Sequence, residues 1–425
     1  MIALILFSSL IVFLILGVPI AVAIGGAAMV GFVYSGLDFM AFAQRMISSV
    51  NVFTLLAIPF FMLAGSLMQT GGMSKRLVRF ANALVSSLPG GLGHVQVLGS
   101  MFFAALSGSS PATTAAIGSV LIPEMKEKGY PSEFSGAVQA VSGTIGTIIP
   151  PSIPMVVFGV ATGQSIGKLF AAGFIPGILV GLALMFVVYY QSKKHGYGYI
   201  GKFSFSELWV SFKDAFWALM VPVIILGGIY SGKFTPTEAG AVACIYGMIV
   251  GVFIYKELTI KNIISVFISA TANTAMVLLI IATSCTFSWL MTFEGVASAM
   301  GEWFGSVSGS PAGFLTLFIL LGLFLGCFME TVSIILIVTP VLYPVALKFG
   351  IDPIHFGIVM TMVLSLGMAT PPVGENLYIA ASIAKVKFER LCKNAVPLIA
   401  IYIFVIFIIA FVPKIALFLP GLFYK

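Results

Sequence analysis

The chain of 425 residues is 60% hydrophobic and only 8% charged, and its formal net charge is +7. A soluble domain of ordinary composition carries about a quarter charged residues, so these values exclude a soluble globular protein. Helix-sized apolar runs recur along the sequence, without the alternating segments of about ten residues that build an outer-membrane barrel. The composition therefore predicts a polytopic membrane protein whose helices satisfy the backbone hydrogen bonds. The four cysteines are scattered and predict no metal site or disulfide framework.

The apolar runs predict a series of membrane crossings. In chain order these lie at about 2–16, 18–36, 52–69, 133–162, 170–190, 215–231, 236–255, 266–292, 354–384 and 394–420. The first basic residue is Arg45, so the opening run lacks the charged start of a secretory signal and is expected to remain as a helix. The longest polar stretch, about 191–214, is too short to fold independently.

Two further apolar stretches, 93–122 and 312–346, are interrupted near their middles. Small, polar or charged residues occupy 107–111 in the first and 326–330 in the second. Each half is about 14 to 16 residues, which is too short to span a bilayer comfortably. This length predicts two re-entrant helical hairpins, because non-helical backbone at membrane depth is tolerated only where protein or water surrounds it.

The distribution of basic residues predicts the orientation of these crossings. With the N-terminus outside, cytoplasmic loops collect 15 of the 21 Lys and Arg residues, as the positive-inside rule requires. They are Lys75, Arg76, Arg79, Lys126, Lys128, Lys193, Lys194, Lys202, Lys213, Lys256, Lys261, Lys385, Lys387, Arg390 and Lys393. Both termini are then predicted to be periplasmic.

Three short amphipathic segments are candidates for helices that lie along the membrane interface. They surround residues 39–50, 205–216 and 260–267. Ser204 and Glu207 have the spacing of a capping box at the start of the second segment. The alternative for each segment is an exposed loop helix without a mechanical role.

The sequence repeats itself at a nearly fixed offset. Pro123, Gly129, Gly146, Pro150 and Pro151 recur 221 residues later as Pro344, Gly350, Gly367, Pro371 and Pro372, and Thr70, Pro89, Gly91, Pro131 and Phe134 recur at 222 as Thr292, Pro311, Gly313, Pro353 and Phe356. Both copies read as a hairpin followed by a crossing that Gly and Pro-Pro interrupt. Five predicted crossings separate equivalent points, so the second copy is inverted in the membrane. Inverted repeats with paired broken helices are typical of secondary transporters.

The breaks and hairpin tips carry the groups expected to bind ligands. A Pro-Pro pair removes two backbone donors and frees carbonyl oxygens, which together with Ser and Thr hydroxyls suit sodium. The half-helices that begin at the tips point their positive dipole ends inward, where a carboxylate could bind. Close helix packing uses the same small residues, so packing is the alternative for any one of them.

Two acidic residues, Glu330 and Glu375, lie at or near the breaks. An ionisable group at membrane depth is a functional candidate, as a proton or cation site. The alternatives are a helix cap for Glu330 and a water-filled vestibule for Glu375. Glu238 sits at a helix start and is expected to act as a cap.

Four short motifs carry a resemblance to a known family. They are Ser-Gly-Ser-Ser-Pro-Ala-Thr at 107–113, Ile-Pro-Pro-Ser at 149–152, Thr-Pro-Thr-Glu-Ala-Gly at 235–240 and Thr-Pro-Pro-Val-Gly at 370–374. In order and spacing they cover nearly the whole chain. The sequence resembles the large membrane (M) subunit of tripartite ATP-independent periplasmic (TRAP) transporters, and within that family the sialic-acid type.

The resemblance implies an all-α polytopic membrane protein with two inverted repeats, re-entrant helical hairpins and broken helices, in an elevator-type ion-transporter fold. Scaffold helices and a first arm would take residues 1–69, and a second scaffold section with its arm would take 170–291. The two transport-domain halves, each with a hairpin and a broken helix, would take 70–169 and 292–392. A C-terminal helix would take 393–425.

The resemblance also implies the ligand sets. One sodium site would use Ser107, Gly146, Ile149 and Pro151, a set that rests partly on the repeat offset, and the other would use Gly326, Gly367, Thr370 and Val373. We expect the substrate at Ser109, Ser110, Thr113, Ser152, Thr331, Ser333 and Asn376. Na+ is the expected coupling ion, without a cofactor or a transition metal.

The family further implies partners and a location. A small four-helix membrane subunit (Q) would pack on the scaffold, and a periplasmic substrate-binding protein (P) would deliver a small carboxylate. Because the chain begins directly at its own first helix, we expect the Q subunit to be a separate chain. The location implied is the bacterial cytoplasmic (inner) membrane, in contact with lipid and without nucleic acid.

The expected function is sodium-coupled uptake of a small organic acid, with sialic acid (N-acetylneuraminate) favoured. No Gly-rich phosphate loop occurs, so ATP hydrolysis is not expected, and the chain is not expected to be an enzyme. A C4-dicarboxylate TRAP subunit, a stand-alone sodium:dicarboxylate symporter and a passive channel are the alternatives within transport. An intramembrane serine protease using Ser107 or Ser109 with His94 is disfavoured, because a protease gains nothing from the second, Ser-poor copy of the site.

Overall fold

The computed structural model describes residues 1–197, 201 and 203–424. Lys202, one of the basic residues that set the predicted orientation, lies outside the described residues. The described residues are 83% helical and contain no strand. The all-helical class predicted from the sequence is confirmed.

Twenty α-helices follow one another along the described chain. The first ten are α1 (Ile2–Ile15), α2 (Ile20–Tyr34), α3 (Phe39–Val50), α4 (Ala57–Thr70), α5 (Met73–Val85), α6 (Gly91–Ser107), α7 (Ser110–Glu127), α8 (Ser132–Gly143), α9 (Ile153–Thr162) and α10 (Ile166–His195). The others are α11 (Phe205–Tyr230), α12 (Pro236–Ile249), α13 (Ile260–Phe293), α14 (Val296–Ser308), α15 (Pro311–Gly326), α16 (Thr331–Lys348), α17 (Pro353–Gly367), α18 (Glu375–Ala384), α19 (Phe388–Phe411) and α20 (Pro413–Phe423).

The repeat predicted from the sequence is present in the order of the helices. Helices α5 to α10 start at Met73, Gly91, Ser110, Ser132, Ile153 and Ile166, and helices α14 to α19 start between 220 and 223 residues later, at Val296, Pro311, Thr331, Pro353, Glu375 and Phe388. In each copy two consecutive half-length helices contact each other and form a hairpin, α6–α7 (hairpin 1) and α15–α16 (hairpin 2). Each hairpin is followed by a broken helix, α8–α9 (broken helix 1) and α17–α18 (broken helix 2).

Seven helices within the described residues are long and apolar enough to cross a membrane. The predicted crossings at 2–16 and 18–36 are shorter apolar helices, whereas those at 133–162 and 354–384 are each divided into two short helices by a break. Helices α14 and α15 are bent by 117° at the break between them. Much of the membrane-embedded structure therefore consists of half-length elements.

The predicted interfacial arms are partly wrong. Helix α3 is a separate amphipathic helix, but the segments around 205–216 and 260–267 continue without a break into the crossings that follow, as α11 and α13. No Gly or Pro stands at either expected boundary, so the helix propagates and keeps its backbone hydrogen bonds. The capping box is also incomplete: the Glu207 amide donates to the Ser204 hydroxyl, but the Glu207 carboxylate accepts from Arg79 instead.

The predicted single crossing at 394–420 is also wrong. Helix α19 ends at Phe411, and Pro413 starts α20 after Val412, whose backbone is not helical. Proline disfavours helical backbone in the residue before it, which ends the first helix there. Two helices, α5 and α14, were not predicted. Helix α5 buries Leu77 and Ala81 and exposes Lys75, so its charges made it resemble a loop.

Packing around hairpin 1 and the second broken helix brings the two repeats together. Helices α7 and α8 pack against α18 of the other repeat, and α16 packs against α9. On the opposite side, α4 packs against α6, α12 and α13, and α13 also packs against α16. The two hairpin tips therefore face α4 and α13.

Candidate functional site

A cavity of about 340 Å³ lies where the two hairpin tips meet α4 and α13. The tip of hairpin 1 contributes residues 107–112, the start of hairpin 2's second half contributes residues 330–332, and the two breaks contribute Thr147, Met368 and Glu375. The opposite wall includes Ser66 and Gln69 of α4 together with Asn273 and Met276 of α13. We call this space the central cavity.

The tip of hairpin 1 is packed directly on the break between α8 and α9, a contact that we call junction 1. The Gly108 carbonyl accepts a hydrogen bond from the Ile153 amide at 3.3 Å. Gly108 has a positive φ of +62°, and a Cβ added there would lie 2.8 Å from the Pro151 oxygen. A Cβ on Gly146 would likewise lie 2.6 Å from the Ser109 oxygen. Only glycines permit this approach of backbone to backbone.

Hydroxyl groups and free carbonyl oxygens are concentrated at junction 1. The Ser107 hydroxyl lies 2.9 Å from the Thr113 hydroxyl, which donates to the Ser109 carbonyl at 2.8 Å. In the break, the peptide oxygens of Ile149 and Pro150 accept no hydrogen bond from the described chain. Such oxygens are ligands that sodium accepts without a fixed negative charge.

Junction 2 has the same design in the second repeat. A Cβ on Gly367 would lie 2.5 Å from the Cα of Gly326, so two glycines hold the tip of hairpin 2 against its broken helix. The Gly374 amide donates to the Cys327 carbonyl at 3.2 Å, and the Cys327 thiol lies 3.2 Å from the Pro371 oxygen. The two junctions are therefore equivalent contacts of the internal repeat.

The structure brings each predicted sodium set to a single junction. Ser107, Gly146, Ile149 and Pro151 lie at junction 1, and Gly326, Gly367, Thr370 and Val373 lie at junction 2. The Thr370 hydroxyl donates to the Leu366 carbonyl at 2.8 Å, whereas the Val373 side chain is exposed. Sodium ligation by these residues stays a prediction.

The seven residues expected to bind substrate fall into two groups. Ser109, Ser110 and Thr331 line the central cavity. Thr113, Ser152, Ser333 and Asn376 are buried behind its wall and do not belong to the lining that the described residues form. Ser152 caps α9 by accepting from the Met155 amide, and its hydroxyl donates to the Thr147 carbonyl at 2.5 Å.

Asn376 connects the two repeats from its buried position. Its amide nitrogen donates to the Ser110 hydroxyl at 2.6 Å and to the Ala140 carbonyl at 3.1 Å. The hydroxyls of Thr147 and Ser365 form a second hydrogen bond between the repeats. These bonds join hairpin 1 to both broken helices, and hairpin 2 adds to this packed unit through the contact of α16 with α9.

The two acidic residues both line the central cavity. Glu330 caps α16, because one carboxylate oxygen accepts from the amides of Val332 at 2.9 Å and Ser333 at 3.3 Å. Glu375 is the first residue of α18 and is exposed, with no hydrogen bond or ion pair to the described chain. The structure thus shows the cap formed by Glu330, and an ion or proton role for either residue stays a prediction.

The arrangement of His94 and Ser107 does not form a catalytic pair. The two residues lie at opposite ends of α6, about 20 Å apart along the helix axis. The His94 ring bonds to the Pro89 carbonyl, and Ser107 bonds to Thr113. The protease alternative lacks the nucleophile–base contact that it requires.

The contribution of α4 and α13 to the cavity wall was not predicted from the sequence. Gln69 and Asn273 are amides in helices α4 and α13, and both belong to runs that were predicted to cross the membrane. Polar groups inside such runs are functional candidates by the same argument that marked Glu330. That signal was present in the sequence and could have identified them.

The chain is similar in sequence to known transporter proteins. A profile of the family described as "Tripartite ATP-independent periplasmic transporter, DctM component" matches residues 7–415. The isethionate TRAP transporter permease protein DctMQ of Oleidesulfovibrio alaskensis is 44% identical over 98% of this chain, and the chain spans 66% of that protein's length. The C4-dicarboxylate TRAP transporter large permease protein DctM of Rhodobacter capsulatus is 40% identical, with 99% of each chain covered.

Two further comparisons extend the range of relatives. The sialic acid TRAP transporter large permease protein SiaM of Vibrio cholerae is 38% identical over 92% of this chain and 91% of its own. Among solved structures, the YdaH transporter of Alcanivorax borkumensis matches with a TM-score of 0.62 over 89% of this chain and 88% of its own. Its sequence identity is 13%, so this match concerns the fold alone.

Proposed function

This chain belongs to the DctM component family of the tripartite ATP-independent periplasmic (TRAP) transporters, and from that premise we propose that it moves a small organic acid into the cell together with sodium. The chain is a multi-pass permease of the inner membrane. The proposal adds the coupling ion, the direction of transport and the residues that bind.

The observation that carries this proposal is the composition of the central cavity. Hydroxyls, amides, the carboxylates of Glu330 and Glu375 and the N-termini of half-helices line it, whereas no Lys, Arg or His of the described residues does. Helix N-termini attract a carboxylate, but each supplies only a partial positive charge. An acid that enters the membrane through this cavity therefore needs cations to travel with it.

Junctions 1 and 2 are the proposed sodium sites. Each places peptide oxygens and at least one hydroxyl beside a hairpin tip that also lines the cavity or adjoins it. A sodium ion bound at a junction would hold the tip against its broken helix and reduce the negative charge near the substrate. Two equivalent junctions predict at least two sodium ions for each substrate molecule.

The proposed mechanism is an elevator movement of the transport unit against the scaffold. The hydrogen bonds that join the repeats support a rigid transport unit, and the cavity lies between this unit and the scaffold helices α4 and α13. We propose a small membrane subunit and a periplasmic binding protein as partners, and periplasmic termini from the positive-inside rule.

The substrate is a small organic acid, and the sequence resemblance favours sialic acid. Relatives named for isethionate, C4-dicarboxylates and sialic acid are 44%, 40% and 38% identical to the chain. These identities differ too little to assign one of the three substrates. A relative in Escherichia coli, named for 2,3-diketo-L-gulonate, is 38% identical. The substrate must therefore be assigned by transport measurements.

The test is uptake into proteoliposomes that contain the chain and its small subunit. N-acetylneuraminate, succinate, isethionate and 2,3-diketo-L-gulonate are offered with and without an inward sodium gradient and with and without the matching binding protein. Saturable uptake that requires both sodium and the binding protein supports the proposal. Uptake without the binding protein would favour the stand-alone symporter, and non-saturable uptake without sodium would favour a channel.

A further inference from the structure

The two repeats place different charges around the same cavity. Ser109 caps α7 in the first repeat, and the equivalent position 221 residues later is Glu330, which caps α16. Ile153 is the first residue of α9, and the equivalent first residue of α18 is Glu375. All four line the cavity. The helix N-termini are therefore uncompensated in the first repeat and face carboxylates in the second.

This asymmetry gives the cavity two chemically distinct ends. In the first repeat, the N-termini of α7 and α9 carry no acidic residue in their first turns, so they attract an anion. In the second repeat, a carboxylate stands at each helix start, which cancels that attraction and offers hydrogen-bond acceptors. An acid group is expected at the first end and hydrogen-bond donors at the second.

The second-repeat carboxylates have capacity left for a ligand. Only one oxygen of Glu330 is used by the cap, and its other oxygen accepts no hydrogen bond from the described chain. Glu375 is exposed and makes no hydrogen bond or ion pair to the described chain. Both carboxylates line the same cavity, where two negative charges repel each other. A second acid group on the substrate would add to this repulsion.

We propose, on the basis of the proposed transport function, that Glu375 and Glu330 together select the substrate. They restrict it to organic acids that carry a single acid group and have hydroxyl or amine donors at the far end. The acid group binds at the N-termini of α7 and α9. The donors at the far end bind the two carboxylates. Dicarboxylates are rejected, because their second carboxylate has no basic partner among the described residues that line the cavity.

This rule separates the substrates named for the relatives. Isethionate, sialic acid and 2,3-diketo-L-gulonate each carry one acid group and at least one hydroxyl, whereas a C4-dicarboxylate carries two acid groups. The charge pattern of the cavity places this chain with the first three. Glu375 is the side chain that determines this discrimination, since Glu330 is already engaged as a helix cap.

The test measures ligand binding directly, so that selection by a soluble binding protein does not contribute. The chain with its small subunit, in nanodiscs and sodium chloride, is titrated with pairs of acids that differ only at the far carbon, where a hydroxymethyl group becomes a carboxylate. The pairs are 4-hydroxybutyrate and succinate, isethionate and sulfoacetate, and gluconate and glucarate. N-acetylneuraminate is included as a larger acid with one charge.

We expect the hydroxy member of any pair that binds to have an affinity on the order of tenfold higher than its dianionic partner. Glu375→Gln should bring the two affinities within about threefold of each other. The double variant that also carries Glu330→Gln should reduce the remaining difference further. Glu389→Gln is the matched control, because Glu389 is also exposed in the first turn of a helix but lies outside the cavity lining. It should leave the ratio unchanged.

Two kinds of result would overturn the inference, and they distinguish a wrong charge rule from a wrong function. A dianion that binds as tightly as its hydroxy partner, or a ratio that Glu375→Gln does not change, contradicts the charge rule and leaves the transport proposal intact. Failure of every acid in the panel to bind in sodium would contradict the proposed function itself, and the charge rule with it. A wild-type thermal unfolding profile of each variant shows that it is folded.

Discussion

Substitution of Gly367 by alanine should disrupt junction 2 and weaken sodium binding there. The new Cβ would lie 2.5 Å from the Cα and 2.7 Å from the carbonyl carbon of Gly326, where ordinary contacts begin at 3.4 Å. The backbone of hairpin 2 would have to move by about 1 Å, because no side chain can rotate away. Overpacking of this kind costs about 1–3 kcal/mol. If that cost falls on the bound state, sodium affinity drops about 5- to 150-fold.

The assay is the sodium concentration that gives half-maximal thermal stabilisation of the purified chain, with choline replacing sodium at constant ionic strength. Gly367→Ala should raise this concentration about fivefold or more. Gly305→Ala is the control, since its Cβ would lie 3.8 Å from Val345, an ordinary contact. A folded Gly367→Ala protein with wild-type sodium dependence would refute the assignment of sodium to junction 2.

Two further predictions concern stability. Arg76 bonds to Glu257 at 2.6 Å and to Asp214 at 3.1 Å, and we expect Arg76→Ala to cost about 1–3 kcal/mol in thermal denaturation, whereas the more exposed Arg79→Ala costs less than about 1 kcal/mol. Equal losses of stability in the two variants would show that the greater burial of Arg76 does not strengthen its ion pairs. Asn376→Ala should cost about 1–3 kcal/mol, and a double-mutant cycle with Ser110→Ala should give a coupling of about 1 kcal/mol. Additive effects would show that the bond between the repeats contributes nothing.

The hairpins and breaks could be predicted because their signals are local. The interruption read at 107–111 matches a hairpin whose halves end at Ser107 and begin at Ser110. Pro-Pro pairs cannot continue a helix, and Ser152 is a favoured cap, so the sequence also marks where α9 begins. The same pattern recurs in the second half of the chain, so each copy supports the interpretation of the other.

The remaining fold features depend on neighbours that a single sequence does not identify. Helix α5 alternates apolar and charged residues, and its apolar face is buried only because α6 and α11 lie against it. The starts of α11 and α13 lie earlier in the chain than predicted, because an amphipathic segment and an apolar segment can share one helix. Only a break in the backbone, such as the one before Pro413, separates such segments.

The positions of the two predicted sodium sets in the fold follow from the repeat, whereas the orientations of polar side chains do not. Every residue assigned to a sodium set lies at the junction expected for it, since glycine and proline positions follow the repeat. Asn376 was expected to face the substrate, yet its amide donates to Ser110, which lies 266 residues away. The direction of a polar side chain depends on partners far away in sequence, and so does the contribution of α4 and α13 to the cavity wall.

The central claim is that sodium ions bound at the two junctions enter with the substrate. Its most direct test measures the uptake of ²²Na+ and of the labelled acid in the same proteoliposomes, with the membrane potential clamped. Sodium binding at both junctions predicts substrate-dependent ²²Na+ entry of at least two ions per acid molecule, reduced in Gly367→Ala and in Gly146→Ala. Acid uptake at an unchanged rate without accompanying ²²Na+ entry would contradict it.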